Sequence, residues 1–160
     1  MIVKTSEEIT YRIITEFSKT LEMFGLTPVE ARLFACLYLV NEPMTLDEMS
    51  DAIGKSKTSM STSIRTLADM NLVTRVWKKG IRKDLYQANS QLFKSFMNSY
   101  LNKWLVATTH QKDALAAIEG DIQEIEGNTS KEMEKLNDYL DNIIQFHEQV
   151  EELFREMKQE

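Results

Sequence analysis

The sequence lacks the features that mark membrane and secreted proteins. Its longest apolar run, Leu33–Val40, is far shorter than the roughly 20 residues that a membrane-spanning helix needs. The single cysteine, Cys36, lies in this run, so an internal disulfide is excluded and a buried structural thiol is expected. Because the N-terminus contains no apolar signal core, we expect the protein to stay in the cytoplasm.

Residues that commonly carry catalysis are also scarce. There are two histidines, His110 and His147, and no group of His, Cys and carboxylate residues has the spacing of a metal site. The five glycines form neither a phosphate-binding loop nor a nucleophile elbow. We therefore expect no enzymatic activity, no cofactor and no bound metal.

Charge of one sign is scarce in each of two parts of the chain. Residues 54–83 contain eight lysines and arginines and one acid, a local charge of +7 in a protein whose net charge is −6. Residues 120–160 contain twelve acids and four bases, a local charge of −8. A basic region on an acidic protein attracts polyanions to one surface while the rest repels them, which favours a nucleic-acid partner.

Four sequence patterns mark the starts of helices. In each, a threonine can cap the helix and a glutamate three residues later can reach back to it. The pairs are Thr5/Glu8, Thr27/Glu30, Thr45/Glu48 and Thr129/Glu132. Apolar side chains at helical spacing complete the prediction of a mainly α protein. The expected helices are Ser6–Phe24, Pro28–Val40, Leu46–Ile53, Lys57–Asn71, residues 91–126 and a last helix after Gly127–Ser130.

The middle of the chain combines a helix pair with its one convincing β pattern. A short helix, a turn at Gly54 and a second helix are followed by two segments of strand character that flank Gly80. Val73, Val76, Trp77, Leu85 and Tyr86 give these segments their β propensity. The order predicts a winged helix-turn-helix with a two-stranded β-hairpin wing, whose second helix enters the major groove of DNA.

The second helix of this motif divides into two faces. Met60, Ile64 and Leu67 have the spacing of a core-facing stripe, with Ser63 beside them. The opposite face carries short hydroxyl side chains and Arg65, so the helix could lie deep in a groove. Arg65 is a candidate for a bidentate contact to guanine or for a phosphate clamp. The predicted DNA-binding residues here are Ser56, Lys57, Thr58, Ser59, Ser61, Thr62 and Arg65.

The tip of the hairpin is strongly basic. Four of its six residues are cations, namely Lys78, Lys79, Arg82 and Lys83, and we predict that all four contact DNA. By itself the serine-rich helix is equally consistent with a solvated surface that binds nothing. The tip favours DNA binding, because a turn that met only water would have little use for four charges that repel each other.

These segments resemble a known family. "PMTLDEM" (Pro43–Met49), "GKSKTSMSTSIRTL" (Gly54–Leu67), "VWKKGIRKDLY" (Val76–Tyr86) and "NKW" (Asn102–Trp104) are similar to the GbsR-type branch of the MarR superfamily of winged-helix regulators. The resemblance implies a homodimeric transcriptional repressor and a palindromic operator. It implies residues 1–25 as an N-terminal dimerisation helix, 26–90 as the DNA-binding domain and 91–160 as a C-terminal dimerisation region. It also implies a link, in some members, to choline or glycine betaine metabolism.

A choline-like effector would need an aromatic cage, because ring faces attract a quaternary cation that cannot donate hydrogen bonds. The candidate effector-binding residues are Tyr11, Phe17, Tyr38, Phe96, Tyr100 and Trp104. Phe93 shares the helical face of the last three. Aromatic stripes at helical spacing also form ordinary cores and dimer interfaces, so the alternative stays open.

The last helix carries an apolar stripe with heptad spacing and an acidic remainder. The stripe comprises Met133, Leu136, Leu140, Ile143, Val150, Leu153, Phe154 and Met157, with His147 in its one gap. We interpret His147 as an interface residue, although a histidine there could also make dimerisation pH-dependent. The stripe leads to an alternative function, a protein-interaction module that uses its winged helix and coiled-coil seam without binding specific DNA.

Overall fold

The computed structural model describes residues 5–125 and 130–158. The chain divides into two compact units, Met1–Phe96 and Met97–Glu160, and we describe the residues of each separately. The elements are α1 (Ser6–Met23), α2 (Pro28–Val40), β1 (Met44–Thr45), α3 (Leu46–Ile53), α4 (Lys57–Asp69), β2 (Val73–Val76), β3 (Leu85–Ala88), α5 (Leu92–Glu124) and α6 (Lys131–Met157). The mainly α fold with a winged helix-turn-helix confirms the prediction from sequence.

Three of the four predicted capping boxes form. Thr5, Thr27 and Thr45 each accept a hydrogen bond from the backbone N–H three residues later, and the glutamate there accepts from the cap backbone. A cap of this kind stabilises a helix by about 1 kcal/mol. The fourth predicted cap, Thr129, lies outside the described residues. Helix α6 is instead capped by Ser130, whose Oγ accepts from the Met133 N–H at 3.2 Å.

Helix α2 lies at the centre of the first unit because it is apolar on nearly every face. Leu33, Phe34 and Leu37 are fully buried on it, and the rings of Phe34 and Phe96 pack edge to face with their centroids 5.0 Å apart. Helix α1 packs here chiefly through its C-terminal half: Leu21 is buried, whereas Ile9 near its start is exposed. The first half of α1 therefore keeps an apolar face that its own unit does not cover.

The sheet contains one strand more than the sequence predicted. Strands β2 and β3 form the expected antiparallel hairpin, with Val73 opposite Ala88. Strand β1 then pairs with the other edge of β3, Met44 opposite Tyr86, to give the order β1-β3-β2. A strand of two residues is too short to show the period-2 alternation by which strands are recognised. It ties the wing to the residue that caps α3.

The second unit is an antiparallel helix pair. Trp104 of α5 contacts Phe154 of α6, with ring centroids 6.2 Å apart. Further along α5, Lys112 donates to the carboxylate of Glu151 at 2.8 Å, and Thr109 donates to the other oxygen at 2.6 Å. Glu151 is only 3% exposed. Its charge is compensated, and the hydrogen bond from Lys112, followed by that from Thr109, lowers the pKa of this carboxyl group.

The predicted single stripe on α6 is divided between two faces. Leu140 is buried against its own unit, on the face that also holds Glu151. Seven other apolar side chains form a neighbouring stripe with alternating three- and four-residue spacing, and most of it is exposed. It comprises Leu136, Tyr139, Ile143, Phe146, Val150, Leu153 and Met157, and we call it the outer stripe.

Among the described residues, no helix combines the length and the apolar character needed to cross a bilayer.

Candidate nucleic-acid interface

The turn between α3 and α4 has the geometry of a helix-turn-helix. Gly54 ends α3 in the left-handed region at φ 75°, a conformation that costs a residue without a Cβ little. Its N–H donates to the Ser50 carbonyl at 2.9 Å, and the Ser50 hydroxyl donates to the carbonyl of Lys55 at 2.5 Å. Ser50 therefore bonds to Gly54 and Lys55 of the turn, through its carbonyl and its hydroxyl, and these bonds fix the direction in which α4 begins.

The inner face of α4 is the predicted one. Met60, Ile64 and Leu67 are buried, and Ser63 lies beside them with 8% exposure. These side chains pack into the core of the first unit with residues of α2 and α3. The prediction of which side of α4 faces the protein is therefore confirmed.

The outer face of α4 carries the remaining hydroxyls, and several bond to their own helix. The Thr62 hydroxyl donates to the Thr58 carbonyl at 3.1 Å. Arg65 folds back along the helix: its Nε donates to the Ser61 carbonyl at 3.2 Å and its Nη2 to the Ser61 hydroxyl at 3.0 Å. Because these hydroxyls bond to the preceding turn of the helix, no long side chain other than Arg65 extends from this part of the face. The guanidinium is held on the face with further N–H groups available.

The N-terminus of α4 is open to an anion. Ser56 caps the helix and accepts a hydrogen bond from the Ser59 N–H at 3.1 Å, while Ser59 itself is half-buried. The other N–H groups of the first turn, together with the helix dipole, favour a phosphate at this end. No acidic residue lies in the first turn, so nothing on the helix itself opposes that charge.

The wing is built around a tight turn at Gly80. The N–H of Ile81 donates to the Lys78 carbonyl at 3.2 Å, and Gly80 has φ 85°. That φ lies in the left-handed region, so a side chain here would strain the turn even though the space is empty. Below the tip, an ion pair between Arg75 and Asp84 joins the two arms of the hairpin.

Asp47, near the start of α3, connects the wing to α4. One carboxylate oxygen lies 2.9 Å from Lys83 Nζ of the wing, and the other lies 3.4 Å from Lys57 Nζ of α4. The hydrogen bond from Lys83, and then that from Lys57, lowers the pKa of the Asp47 carboxyl group; in turn Asp47 raises the pKa of Lys83. Asp47 was not among the predicted site residues, because nothing local to it in the sequence reveals a partner 36 positions away.

Apart from Arg65, which bonds to Ser61, the predicted DNA-binding cations thus fall into two groups. Lys57 and Lys83 share the charge of Asp47, whereas Lys78, Lys79 and Arg82 have no ion-pair partner within the described part of the chain. The second group projects from the wing tip as three uncompensated charges. Together with Lys57, Lys83 and the hydroxyl face of α4, they form the surface that we call the basic face.

The predicted effector residues are distributed over both units. In the first, Tyr11 is exposed, Phe17 and Tyr38 form an edge contact at 6.1 Å, and Phe96 is a core residue that is 5% exposed. In the second, Tyr100 and Trp104 lie with their ring centroids 6.0 Å apart. No three His, Cys, Asp or Glu side chains in the described ranges gather as a metal site would require.

Comparison with known proteins agrees with this geometry. Residues 21–90 match the family described as "Sugar-specific transcriptional regulator TrmB". The chain is 29% identical to the HTH-type transcriptional repressor OpcR of Bacillus subtilis (strain 168), over 96% of this chain and 90% of OpcR. It is 33% identical to the HTH-type transcriptional repressor GbsR of the same organism, over 71% of this chain and 62% of GbsR.

A solved structure shows the same fold. The crystal structure of a transcriptional regulator superposes with a TM-score of 0.55 at 15% identity, covering 92% of this chain and 98% of the other. The matched relatives are transcriptional regulators rather than enzymes. The chain is therefore a DNA-binding transcriptional regulator with a winged helix-turn-helix.

Proposed function

We propose that this regulator is a homodimeric repressor of the GbsR type that binds a palindromic operator through its basic face. The observation that supports this most directly is the bridge at Asp47. It holds Lys57 at the start of α4 and Lys83 in the wing on one carboxylate, so helix and wing present a continuous surface. A flat solvated surface would need no such link between its two basic parts.

The two parts of the basic face have different tasks in this proposal. The wing cations Lys78, Lys79 and Arg82 bind phosphates and supply affinity that depends on salt rather than on sequence. Helix α4 enters the major groove, where its short hydroxyls allow a close approach. Arg65 swings from Ser61 toward the bases, the most specific contact that this face offers.

The dimer is supported by the outer stripe of α6. Helix α6 has 27 residues and is about 40 Å long. In its outer stripe the side chain of Phe146 is 61% exposed, and five further large apolar side chains are about half exposed. An exposed apolar stripe of this extent marks a protein-protein interface. A second copy would cover it with the same residues, as a two-fold axis requires.

The division of labour along the chain follows. We propose residues 1–25 and 91–160 as the dimerisation parts and residues 26–90 as the DNA-binding domain. In the dimer the two copies of α4 would lie about 34 Å apart, so that they enter successive major grooves on one side of the duplex.

A small quaternary amine, such as choline, is the effector class that we propose, with the regulated genes serving osmoprotectant metabolism. The second unit contains a row of three aromatic rings. The centroid of Trp104 lies 6.0 Å from that of Tyr100 and 6.2 Å from that of Phe154. Thermal shift with choline and its uncharged isostere 3,3-dimethylbutan-1-ol tests this. Stabilisation by choline alone supports a cation site, and an equal response to both compounds contradicts it.

DNA binding is tested with duplexes selected from a pool with a randomised core of about two helical turns. The double variant Lys79→Glu/Arg82→Glu should lose binding to both selected and random duplexes, since it replaces attraction to phosphates with repulsion. Lys94→Glu/Lys103→Glu, which reverses two charges on α5, is the matched control. Unchanged affinity of the wing variant would contradict the proposed role of the wing, and an unaltered protein that binds no selected duplex would favour the protein-interaction alternative.

A further inference from the structure

The wing carries two apolar side chains that its fold does not use. Trp77 follows β2 directly and is 81% exposed, and Ile81 on the other side of the Gly80 turn is 42% exposed. Within the described residues, the indole of Trp77 forms no hydrogen bond and no aromatic contact. The hairpin is held instead by its ladder, by the Gly80 turn and by the Arg75–Asp84 ion pair.

The exposure of Trp77 leaves a large apolar surface in water. A buried indole removes some 150–250 Å² from water, so leaving it uncovered forgoes a large favourable free energy. Neither the sheet nor the core of the first unit recovers it. The side chain is therefore placed for a surface outside the chain.

The charges around Trp77 identify that surface. Trp77 and Ile81 line the same open groove as Arg82 and Lys83, and Lys78 and Lys79 occupy the turn between them. Lys83 is paired with Asp47, and Arg75 with Asp84 in the same groove. An apolar protein surface or a second copy of this wing would have to accept the other three cations, Lys78, Lys79 and Arg82, without compensation. Duplex DNA offers phosphates for the cations and, between them, the apolar faces of its sugars and the edges of its bases.

We propose that Trp77 enters the minor groove beside the major groove that α4 occupies, and that its indole packs between the sugar walls against a base step. The inference rests on the proposed function. A minor groove about 6 Å wide excludes a helix but admits a flat ring, and apolar wedges of this kind unstack a step and bend the duplex. The wing cations hold the phosphates on either side of the ring.

Trp77 would contribute to sequence specificity although its ring reads no hydrogen-bond pattern on the bases. A wedge is accommodated most easily where the step deforms easily, as pyrimidine–purine steps do. Operators selected by the protein should therefore be enriched in such steps about half a helical turn outside the bases that α4 reads. Operators selected with Trp77→Ala should lose the enrichment in these outer steps and keep the preference at the bases that α4 reads.

Fluorine NMR of the full-length protein labelled with 5-fluorotryptophan tests the contact directly. The chain has two tryptophans, and the Trp77 resonance is identified by its absence from Trp77→Phe. Addition of a selected duplex should move this resonance and reduce its H₂O/D₂O isotope shift, because the ring leaves water. A resonance that keeps its position and isotope shift on a duplex shown to be bound by fluorescence anisotropy would overturn the proposal.

Affinity provides the second measurement. Trp77→Ala should weaken binding about tenfold without changing the slope of affinity against salt, because the residue carries no charge. Trp77→Phe should restore most of the loss. Lys79→Gln is the contrasting variant, with a salt slope reduced by about one phosphate contact.

The outcomes separate this proposal from the one on which it rests. If the unaltered protein binds no duplex, the proposed function itself fails. If it binds and Trp77→Ala binds equally well, the wedge alone is refuted. A Trp77→Ala variant whose sedimentation differs in the absence of DNA would overturn the proposal in favour of a protein contact. Circular dichroism of each variant confirms that the exposed substitution leaves the fold intact.

Discussion

Lys83 of the wing and Asp47 of α3 form an ion pair at 2.9 Å, and Lys57 of α4 lies on the other oxygen of the same carboxylate at 3.4 Å. A negative charge in the middle of a basic face is unexpected, since it repels the phosphates that the face attracts. It also holds two lysines in fixed positions at the junction of helix and wing. Asp47 therefore lowers the affinity for DNA of any sequence and, in return, fixes the positions of two cations.

Replacing Asp47 tests this exchange. Asp47→Asn should raise affinity for random duplex several-fold at moderate salt, because Lys57 and Lys83 are freed for phosphates. Affinity for the selected operator should rise less, so the ratio of specific to non-specific binding falls. Competition between the two duplexes in a mobility-shift titration measures that ratio. Asp51→Asn on the same helix, a carboxylate without an ion-pair partner in the described chain, is the control, and equal behaviour of the two variants would contradict the role.

Arg65 provides the test of base reading. Removing its guanidinium in Arg65→Ala should cost about 1–3 kcal/mol on the selected operator and much less on random duplex, if it reads a base. Ser61→Ala, which removes only the hydroxyl that holds the guanidinium, should have a smaller effect of the same kind. Isothermal titration with both duplexes makes the comparison. Equal losses on operator and random DNA would show that Arg65 is a phosphate clamp.

The buried carboxylate of Glu151 makes the stability of the second unit depend on pH. Its pKa is lowered by the hydrogen bonds from Lys112 and Thr109, so it binds a proton less readily folded than unfolded. The stability it contributes is therefore present above its unfolded pKa and is lost as pH falls through the lower folded value. The pKa of Lys112 is raised chiefly by the hydrogen bond to Glu151, so its contribution is lost only as pH rises through that raised value.

Chemical denaturation from neutral to acidic pH checks this dependence. The free energy of unfolding of Glu151→Gln should fall less steeply in acid than that of the unaltered protein, because the titrating group is gone. Glu152→Gln, at the next position and exposed, should keep the original slope. Parallel curves for all three proteins would rule out Glu151 as the source.

Local patterns in the sequence predicted the parts of this fold that depend on local spacing. The threonine caps and the inner face of α4 follow from residues three or four positions apart, as Met60 and Ile64 illustrate. Contacts between distant residues were not predicted. Strand β1 exists because Met44 meets Tyr86 across the sheet, and Asp47 matters because Lys83 returns to it from the wing.

The last helix shows a second limit of sequence patterns. Its apolar residues fill more than one face, and the spacing alone favoured a single stripe through Leu136, Leu140 and Ile143. The structure buries Glu151 on the inner face instead, since Lys112 and Thr109 approach from α5 to compensate its charge. A polar residue satisfied by a distant partner is indistinguishable in the sequence from a solvent-exposed one.

The outer stripe of α6 predicts how the protein associates. Phe146→Asp should convert a dimer into a monomer in analytical ultracentrifugation, because it places a charge within the apolar surface that a second copy would cover. Gln145→Asp adds the same charge one position away on an exposed, polar part of the helix and should leave the dimer intact. Salt should act oppositely on the two equilibria. It screens repulsion between the acidic C-terminal segments and strengthens the dimer, while it weakens DNA binding. A monomeric unaltered protein at all concentrations, or a dimer indifferent to Phe146→Asp, would assign the stripe to some other partner.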